Sequence, residues 1–386
     1  MQALTKQPWL TQAASRSVLV ALAMGGATPR FVGGCVRDGL LGHTSADLDI
    51  AIDQTPEDSM ALLKGAGIKV IPTGLKHGTI TAVAGGQHFE ITTLRVDVET
   101  FGRHAKVAFT DDWQLDAARR DFTINAIYAD GDGQIYDPMG GQADLGAGRV
   151  VFVGDAAQRI DEDKLRILRF FRFQALFGRG DPNAAALAAC AAAASGIAAL
   201  SGERVRDEIF KLLFAPDPLP SLELMAKGGI LQQILPDGFD LDKLARTDGD
   251  PLRRLSAIAT DGAAAIASRL RLSNKQGKRL AFLMSPPLTL SATITRPALR
   301  QLLYEHGAEV MTDLALQQGL PDLAPRIVEA TPPRFPLKGS DALALGMKPG
   351  PKMGEALRAL EATWRADDFK ASRDELLEKL AAGSNE

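Results

Sequence analysis

The chain has 386 residues, 46% of them hydrophobic and 24% charged, which is the balance of an ordinary globular protein with apolar material for two or three domains. That composition excludes a disordered, collagenous or disulfide-stapled chain. The formal charge is −3, and it is uneven: 19 Lys and Arg stand against 15 Asp and Glu from Pro251 onward, and 25 against 32 before it. Any contact with RNA must therefore come from local basic surface and not from the global field.

Leu10, Ala14, Val18 and Leu22 recur at helical spacing, so the apolar run Val18 to Met24 reads as an amphipathic first helix and not as a signal-peptide core. Arg30 to Gly33 reads as a short strand, and Cys35 to Leu41 as the opening of a helix. Asp47 to Ile52 and His88 to Arg95 alternate in face like strands, with the β-branched run Thr79 to Ala84 between turn glycines. Pro56 opens a helix that packs on this sheet. After Gly154 strand signals almost vanish and 3.6-residue patterns follow one another, punctuated by Pro216, Pro218 and Pro220 and again by Pro286 and Pro287. Cys35 and Cys190 cannot form a disulfide framework and point to a reducing, cytoplasmic setting. The five scattered histidines offer no zinc spacing, and no run reaches the roughly 18 apolar residues of a membrane span. No membrane partner is expected.

Two local patterns carry chemistry. Gly33-Gly34 between a strand and a helix lets backbone N–H groups approach a polyphosphate, and Arg37 one turn later can add a forked donor. Alone, such a glycine pair is no more than a tight turn. Asp47 and Asp49, two apart on a strand, project from one face roughly 6–7 Å apart, while Leu48, Ile50 and Ile52 anchor the other face in the core. Two such carboxylates suit a pair of Mg2+ ions about 3.5–4 Å apart, with substrate phosphates completing the shells.

Gly33-Gly34, Arg37-Asp38, Asp47 and Asp49, taken in order, resemble the signature of the nucleotidyltransferase superfamily. More narrowly, they resemble the class II tRNA nucleotidyltransferase and poly(A) polymerase family. Glu90-Ile91-Thr92-Thr93-Leu94-Arg95-Val96-Asp97 is similar to that family's third sheet motif, and Arg119-Arg120-Asp121-Phe122-Thr123-Ile124-Asn125-Ala126 to its ribose-binding motif. Glu162-Asp163-Lys164-Leu165-Arg166-Ile167-Leu168-Arg169 resembles its base-reading helix, and Glu203 to Glu208 the motif that supports that helix. The likeness runs from about Phe31 to Leu213.

The resemblance implies an α+β fold, with a polymerase-beta-like mixed-sheet head followed by an all-helical neck, body and tail. The expected divisions are 1–150, 151–215, 216–288 and 289–386, the tail binding tRNA. It implies that Asp47 and Asp49 hold two Mg2+, that Gly33, Gly34 and Arg37 receive the triphosphate, and that Arg120 contacts the nucleotide. Asp121 and Asn125 would face a ribose hydroxyl and a phosphate, and Arg169 and Arg172 the triphosphate side or the support of the helix. Glu90 stands open between a third catalytic carboxylate and a structural acid. On a helix Arg119 and Arg120 would point about 100° apart and could not meet one phosphate.

Asp163 and Arg166, at i and i+3 of one helix, would lie about 5–6 Å apart and present an acceptor beside a donor fork. Cytosine and adenine both offer an amino donor beside a ring-nitrogen acceptor, whereas uracil and guanine offer the reverse. A wrong base leaves buried polar groups unpaired, a mechanism capable of roughly 10⁴-fold discrimination. Two residues depart from the family pattern: Lys164 replaces a frequent proline, and Phe101 replaces the acid of a flexible Asp-Gly-Arg loop that helps the switch from C to A.

The expected function is addition of C, C and A to tRNA 3′ ends from CTP and ATP, with no DNA partner and no oligomer specified. The alternatives are a bacterial poly(A) polymerase, an A-adding or CC-adding partial enzyme, and a non-catalytic RNA-binding descendant. Gly74-Leu75-Lys76-His77-Gly78-Thr79 and the absence of a long basic tail favour the tRNA enzyme over the polymerase, and the intact Val98 to Phe109 segment disfavours a CC-only enzyme.

Overall fold

The alternation around Asp49 becomes one strand of a seven-stranded mixed sheet. The computed structural model describes residues 4–101, 104–246, 249–260, 262–286, 288–330 and 332–383. Two compact units emerge: Met1–Leu241 with Ser268–Arg271, and Asp242–Ala267 with Leu272–Glu386.

In the first unit the strands are β1 (Arg30–Val32), β2 (Leu48–Ile52), β3 (Lys69–Gly74), β4 (Thr79–Ala84), β5 (Gln87–Thr93), β6 (Arg95–Phe101), β7 (His104–Phe109), β8 (Tyr128–Ala129) and β9 (Ile135–Tyr136). The main sheet runs β3-β4-β5-β2-β1-β8-β9. β2 and β5 are parallel, and the other neighbours are antiparallel. β6 and β7 form a separate antiparallel ribbon. The stretch Phe101 to His104, expected as a loop, is strand at both flanks, while Gly102 and Arg103 lie outside the described residues. Arg95-Val96-Asp97-Val98 alternates polar with apolar, a period that suits a two-stranded ribbon better than a loop.

The helix Ala13–Ala23 buries Val18, Leu19, Ala21 and Leu22 as its apolar spacing requires. The helix Pro56–Gly65 is capped by Thr55, whose side chain accepts the Asp58 N–H at 3.2 Å. Val32, Ala51, Leu94, Ala117, Ala126, Tyr128 and Val153 form a core cluster beneath the strand ends. An aromatic seam joins sheet to helix: Phe122 stands 4.7 Å from Phe152 and 5.2 Å from Phe173, and Phe152 stacks on Phe170 at 5.7 Å. Phe170 and Phe173 belong to the helix Leu165–Phe177, so the seam fixes that helix against the segment that follows Arg120.

The second unit is helical. Leu299, Leu303, Met311, Leu314, Leu323 and Ile327 make one core. Leu337, Trp364, Phe369, Leu376 and Leu380 make another, with Phe369 edge-on to Trp364 at 5.1 Å. Among the described residues, no helix is long and apolar enough to cross a membrane.

Candidate active site

β1 ends at Gly33, whose φ of +73° and ψ of −123° an L side chain adopts only with strain. The helix Gly34–Leu40 starts at once, with no side chain capping its first N–H groups. Arg37, buried within that helix, is engaged by the protein. Its Nε donates to Asp38 at 2.9 Å and its Nη1 to Asn125 Oδ1 at 2.6 Å. Its guanidinium lies over the rings of Phe177 and Phe173, at 4.3 and 5.2 Å from their centroids. Sequence suggested a fork open to phosphate; in the fold Arg37 is held beneath the glycine turn, against the helix Leu165–Phe177.

Asp47 lies one residue before β2 and not on it, exposed, and Asp49 is the second residue of that strand. Leu48 and Ile50 are buried on the opposite face, as the alternation required. In the parallel ladder Asp49 is in register with Glu90, which sets the two carboxylates side by side on one face. Removal from water raises the Asp49 carboxyl to about 6. The like charge of Glu90, and to a lesser extent Asp47, adds to the rise, and Arg120 opposes it. This concentration of negative potential is what a divalent cation relieves. Among the described residues no group of three or more His, Cys, Asp or Glu side chains closes around an ion-sized space. A hard cation such as Mg2+ takes one or two protein carboxylates and completes its shell with water and substrate phosphate, so the donor set fits that open kind of site.

Arg119 and Arg120 both converge on a residue that sequence reasoning missed. The helix Trp113–Ala118 ends just before them, which corrects the expectation that helical geometry would splay them. Arg119 pairs with Asp116 Oδ1 at 2.7 Å and Arg120 with Asp116 Oδ2 at 2.9 Å. Tyr128 donates its hydroxyl to the same Oδ2 at 2.8 Å. Burial alone would raise the Asp116 carboxyl, but Arg120, Arg119 and the Tyr128 hydroxyl hold it down at about 2. The spacing of Asp116, three and four residues before the arginines, was a readable signal. Tyr128 gave none, because only the sheet brings it there.

Asp121 and Asn125 do meet, but not along an α-helix. Asp121 precedes the bridge that Phe122 makes with Phe152, and Asn125 closes the 3-10 turn Thr123–Asn125. Asn125 Nδ2 donates to Asp121 Oδ1 at 3.0 Å while its Oδ1 receives Arg37, and Arg169 grips Asp121 Oδ2 at 2.6 Å. Burial opposes ionisation of Asp121, but Arg169 and Asn125 keep its carboxyl below the usual range. Arg169 also reaches Glu208 at 3.5 Å, and Arg172 pairs with that glutamate at 2.6 Å. One chain of hydrogen bonds and ion pairs thus runs from Arg37 under the glycine turn to Arg172 on the helix.

Asp163 and Arg166 do not share one helix, which corrects the i, i+3 picture. The helix Ala156–Glu162 stops, Asp163 is extended (φ −152°, ψ 108°), and a second helix begins at Leu165. At this joint Asp163 Oδ1 accepts the Leu165 N–H at 3.1 Å, and Arg204 binds its Oδ2 at 2.6 Å. Arg166 pairs with Glu162 at 2.5 Å and donates to the Arg159 carbonyl at 2.8 Å. Each of the two residues is therefore oriented by its own partner. Lys164, at the family's proline position, pairs with Asp161 at 2.8 Å.

A glycine turn, paired strand acids on a mixed sheet and an arginine-rich helical support thus stand together in the first unit. Residues 29–151 match the family described as the Poly A polymerase head domain, and residues 183–241 the one described as a probable RNA and SrmB-binding site of polymerase A. The chain is 36% identical to the mitochondrial CCA tRNA nucleotidyltransferase 1 of Danio rerio, over 91% of this chain and 86% of that protein. It is 30% identical to the CCA-adding enzyme of Leuconostoc mesenteroides, over 95% of each chain. The crystal structure of the Bacillus stearothermophilus CCA-adding enzyme in complex with CTP superposes with a TM-score of 0.74 at 26% identity, covering 100% of this chain and 98% of that one. The chain belongs to the family of CCA-adding tRNA nucleotidyltransferases, whose chemistry is metal-dependent.

Proposed function

We propose that this protein completes tRNA 3′ ends, adding C, C and A from CTP and ATP without a nucleic-acid template and releasing pyrophosphate. The observation that carries the reading is the Asp49–Glu90 register on a strand anchored in the core, with Arg120 electrostatically in reach of it.

In this mechanism Asp47 and Asp49 hold two Mg2+, and Glu90 adds negative potential beside them. Held by these carboxylates, such a metal pair would supply Lewis-acid activation of the RNA 3′-hydroxyl and a counter-charge for the leaving pyrophosphate. Gly33 and Gly34 let the triphosphate approach the backbone, and Arg120 faces its charge. Arg37 acts from beneath the turn, through Asn125. Asp121 and Asn125 present the ribose side, with Arg169 and Arg172 bracing them. Asp163 accepts from the amino group shared by cytosine and adenine, and Arg166 donates to their ring nitrogen. Uracil and guanine would set donor against donor and acceptor against acceptor.

The division into head 1–150, neck 151–215, body 216–288 and tail 289–386 remains our proposal, with the basic-leaning second half holding the tRNA acceptor arm through phosphate contacts that weaken with salt. Cys35 and Cys190 are free and buried, which suits a reducing compartment such as the cytoplasm.

The test uses tRNA trimmed before its terminal CCA, with each NTP supplied singly and together and products resolved by length. The expected result is a halt after three additions, using CTP then ATP. A long A ladder would make the protein a poly(A) polymerase, a stop after two additions a partial enzyme, and tRNA binding without incorporation a non-catalytic descendant.

A further inference from the structure

We propose that Asp116 is a positioning residue for the nucleotide: it seats Arg120 over the glycine turn and ties that arginine to the base of the β6–β7 ribbon. The inference rests on the nucleotidyl-transfer reading above and assigns a role to a residue outside the chemistry-bearing motifs.

Both oxygens of the buried carboxylate are fully occupied. Oδ2 accepts from Arg120 Nη2 at 2.9 Å and Nε at 3.3 Å and from the Tyr128 hydroxyl at 2.8 Å. Tyr128 Oη in turn accepts from Arg120 Nε at 3.1 Å, and the guanidinium lies 5.1 Å from the tyrosine ring centroid. A long side chain that would otherwise sample many rotamers is thus ordered before substrate arrives, which removes an entropic cost from binding. The nitrogen that Asp116 does not engage, Arg120 Nη1, lies 3.9 Å from where a Cβ on Gly33 would stand. The charge of Arg120 also reaches Asp49. The arginine is therefore aimed at the space between the turn and the strand acids.

Charge balance points the same way. One carboxylate faces two guanidiniums, Arg119 and Arg120, so the seat keeps one net positive charge in a partly desolvated place. Asp49 is already within reach of that charge, and an incoming triphosphate is the further anion it can take. Oδ1 meanwhile accepts the backbone N–H of Arg95, the first residue of β6, at 3.4 Å, besides Arg119 Nε at 2.8 Å. At the same root of the ribbon the Thr110 N–H donates to the Leu94 carbonyl at 3.0 Å. A single rigid group therefore holds both the nucleotide-facing arginine and the ribbon's root.

The full chain is assayed with trimmed tRNA and varied CTP or ATP. In Asp116→Asn, loss of a charge-assisted bond raises the nucleotide KM by about ten- to a hundredfold, whereas kcat at saturating nucleotide changes by less than about threefold and tRNA affinity without nucleotide by less than about twofold. Because Asp116 acts through Arg120, Asp116→Asn adds nothing to the KM defect of Arg120→Lys. Amide exchange at Arg95 quickens in the same variant. Tyr128→Phe, which deletes one oxygen and keeps the packing, raises the nucleotide KM by about three- to tenfold with tRNA affinity intact. An unchanged nucleotide KM in both variants overturns the proposal. So does an Asp116→Asn defect that adds fully to Arg120→Lys, or that lowers tRNA affinity and nucleotide affinity alike. Should Asp116→Asn fail to fold, Tyr128→Phe alone decides. A wild-type chain that incorporates no nucleotide defeats the functional reading instead, and the two failures are thereby distinguished.

Discussion

Each unit of this molecule buries an aspartate between two arginines, and the two arrangements do different things. In the first unit Asp116 receives Arg119 and Arg120, and Arg120 reaches on toward the glycine turn and Asp49. In the second unit Asp313, on the helix Ala308–Gln317, receives Arg253 from the helix Pro251–Ile258 and Arg279 from the helix Asn274–Met284. There Asp250, at 3.1 Å, and Glu309, at 3.8 Å, also take Arg279, so the carboxylates leave no guanidinium charge over and three helices are pinned together. A buried ion pair by itself therefore does not mark a site. What separates the two is the charge left over and the direction in which it points.

The sharpest way to break this contrast is to remove the acids that Arg120 faces. Asp49→Asn, or chelation of divalent cations from the wild type, should cut incorporation by on the order of a thousandfold or more while leaving tRNA affinity and the unfolding midpoint nearly unchanged. Single-turnover incorporation with parallel denaturation measures both. Loss of folding along with activity would put Asp49 in the same structural class as Asp313.

Next in size, Asp313→Ala leaves two guanidiniums without their buried partner and should destabilise the second unit by about 3–5 kcal/mol in urea. The nucleotide KM should not move. A nucleotide defect without loss of stability would reverse the roles of the two clusters.

Acid should separate them as well. The Asp116 carboxyl sits at about 2 in the fold against 3.8 when free of it, so its ionised form contributes roughly 2 kcal/mol. A group whose folded value is depressed stabilises above its unfolded value and loses that contribution as pH falls through the folded one. The stability advantage of wild type over Asp116→Asn should accordingly be full above about pH 4 and shrink toward pH 2. A gap independent of pH in that window would mean that the charge of Asp116 is not what holds Arg120. Smallest of all, Asp250→Ala removes both the cap on the Arg253 N–H, at 2.9 Å, and the balancing carboxylate. It should cost the second unit about 1 kcal/mol, and a much larger loss would show that the charge match there matters more than the contact with Asp313.

Much of the head was legible from local pattern. Alternation gave the strand that carries Asp49 its buried face, Gly33-Gly34 announced a tight strand–helix turn, and the order of motifs from Phe31 to Leu213 pointed to the family. The break at Asp163 was hidden, because Glu162 to Arg169 has helical composition and only the grip of Arg204, 41 residues on, fits the extended joint. The partner that orients Arg37 was hidden for a related reason: its acceptor, Asn125, is 88 residues away.

The chain's own order of residues thus determined which candidate groups can come together, since paired strand acids and a glycine turn are specified by identity and short spacing. The tertiary structure decided how each is aimed. A guanidinium or carboxylate takes its direction and charge state from whichever partner folding brings within about 3 Å, and those partners (Tyr128 for Arg120, Arg169 for Asp121, Arg204 for Asp163) come from elements that no local period connects.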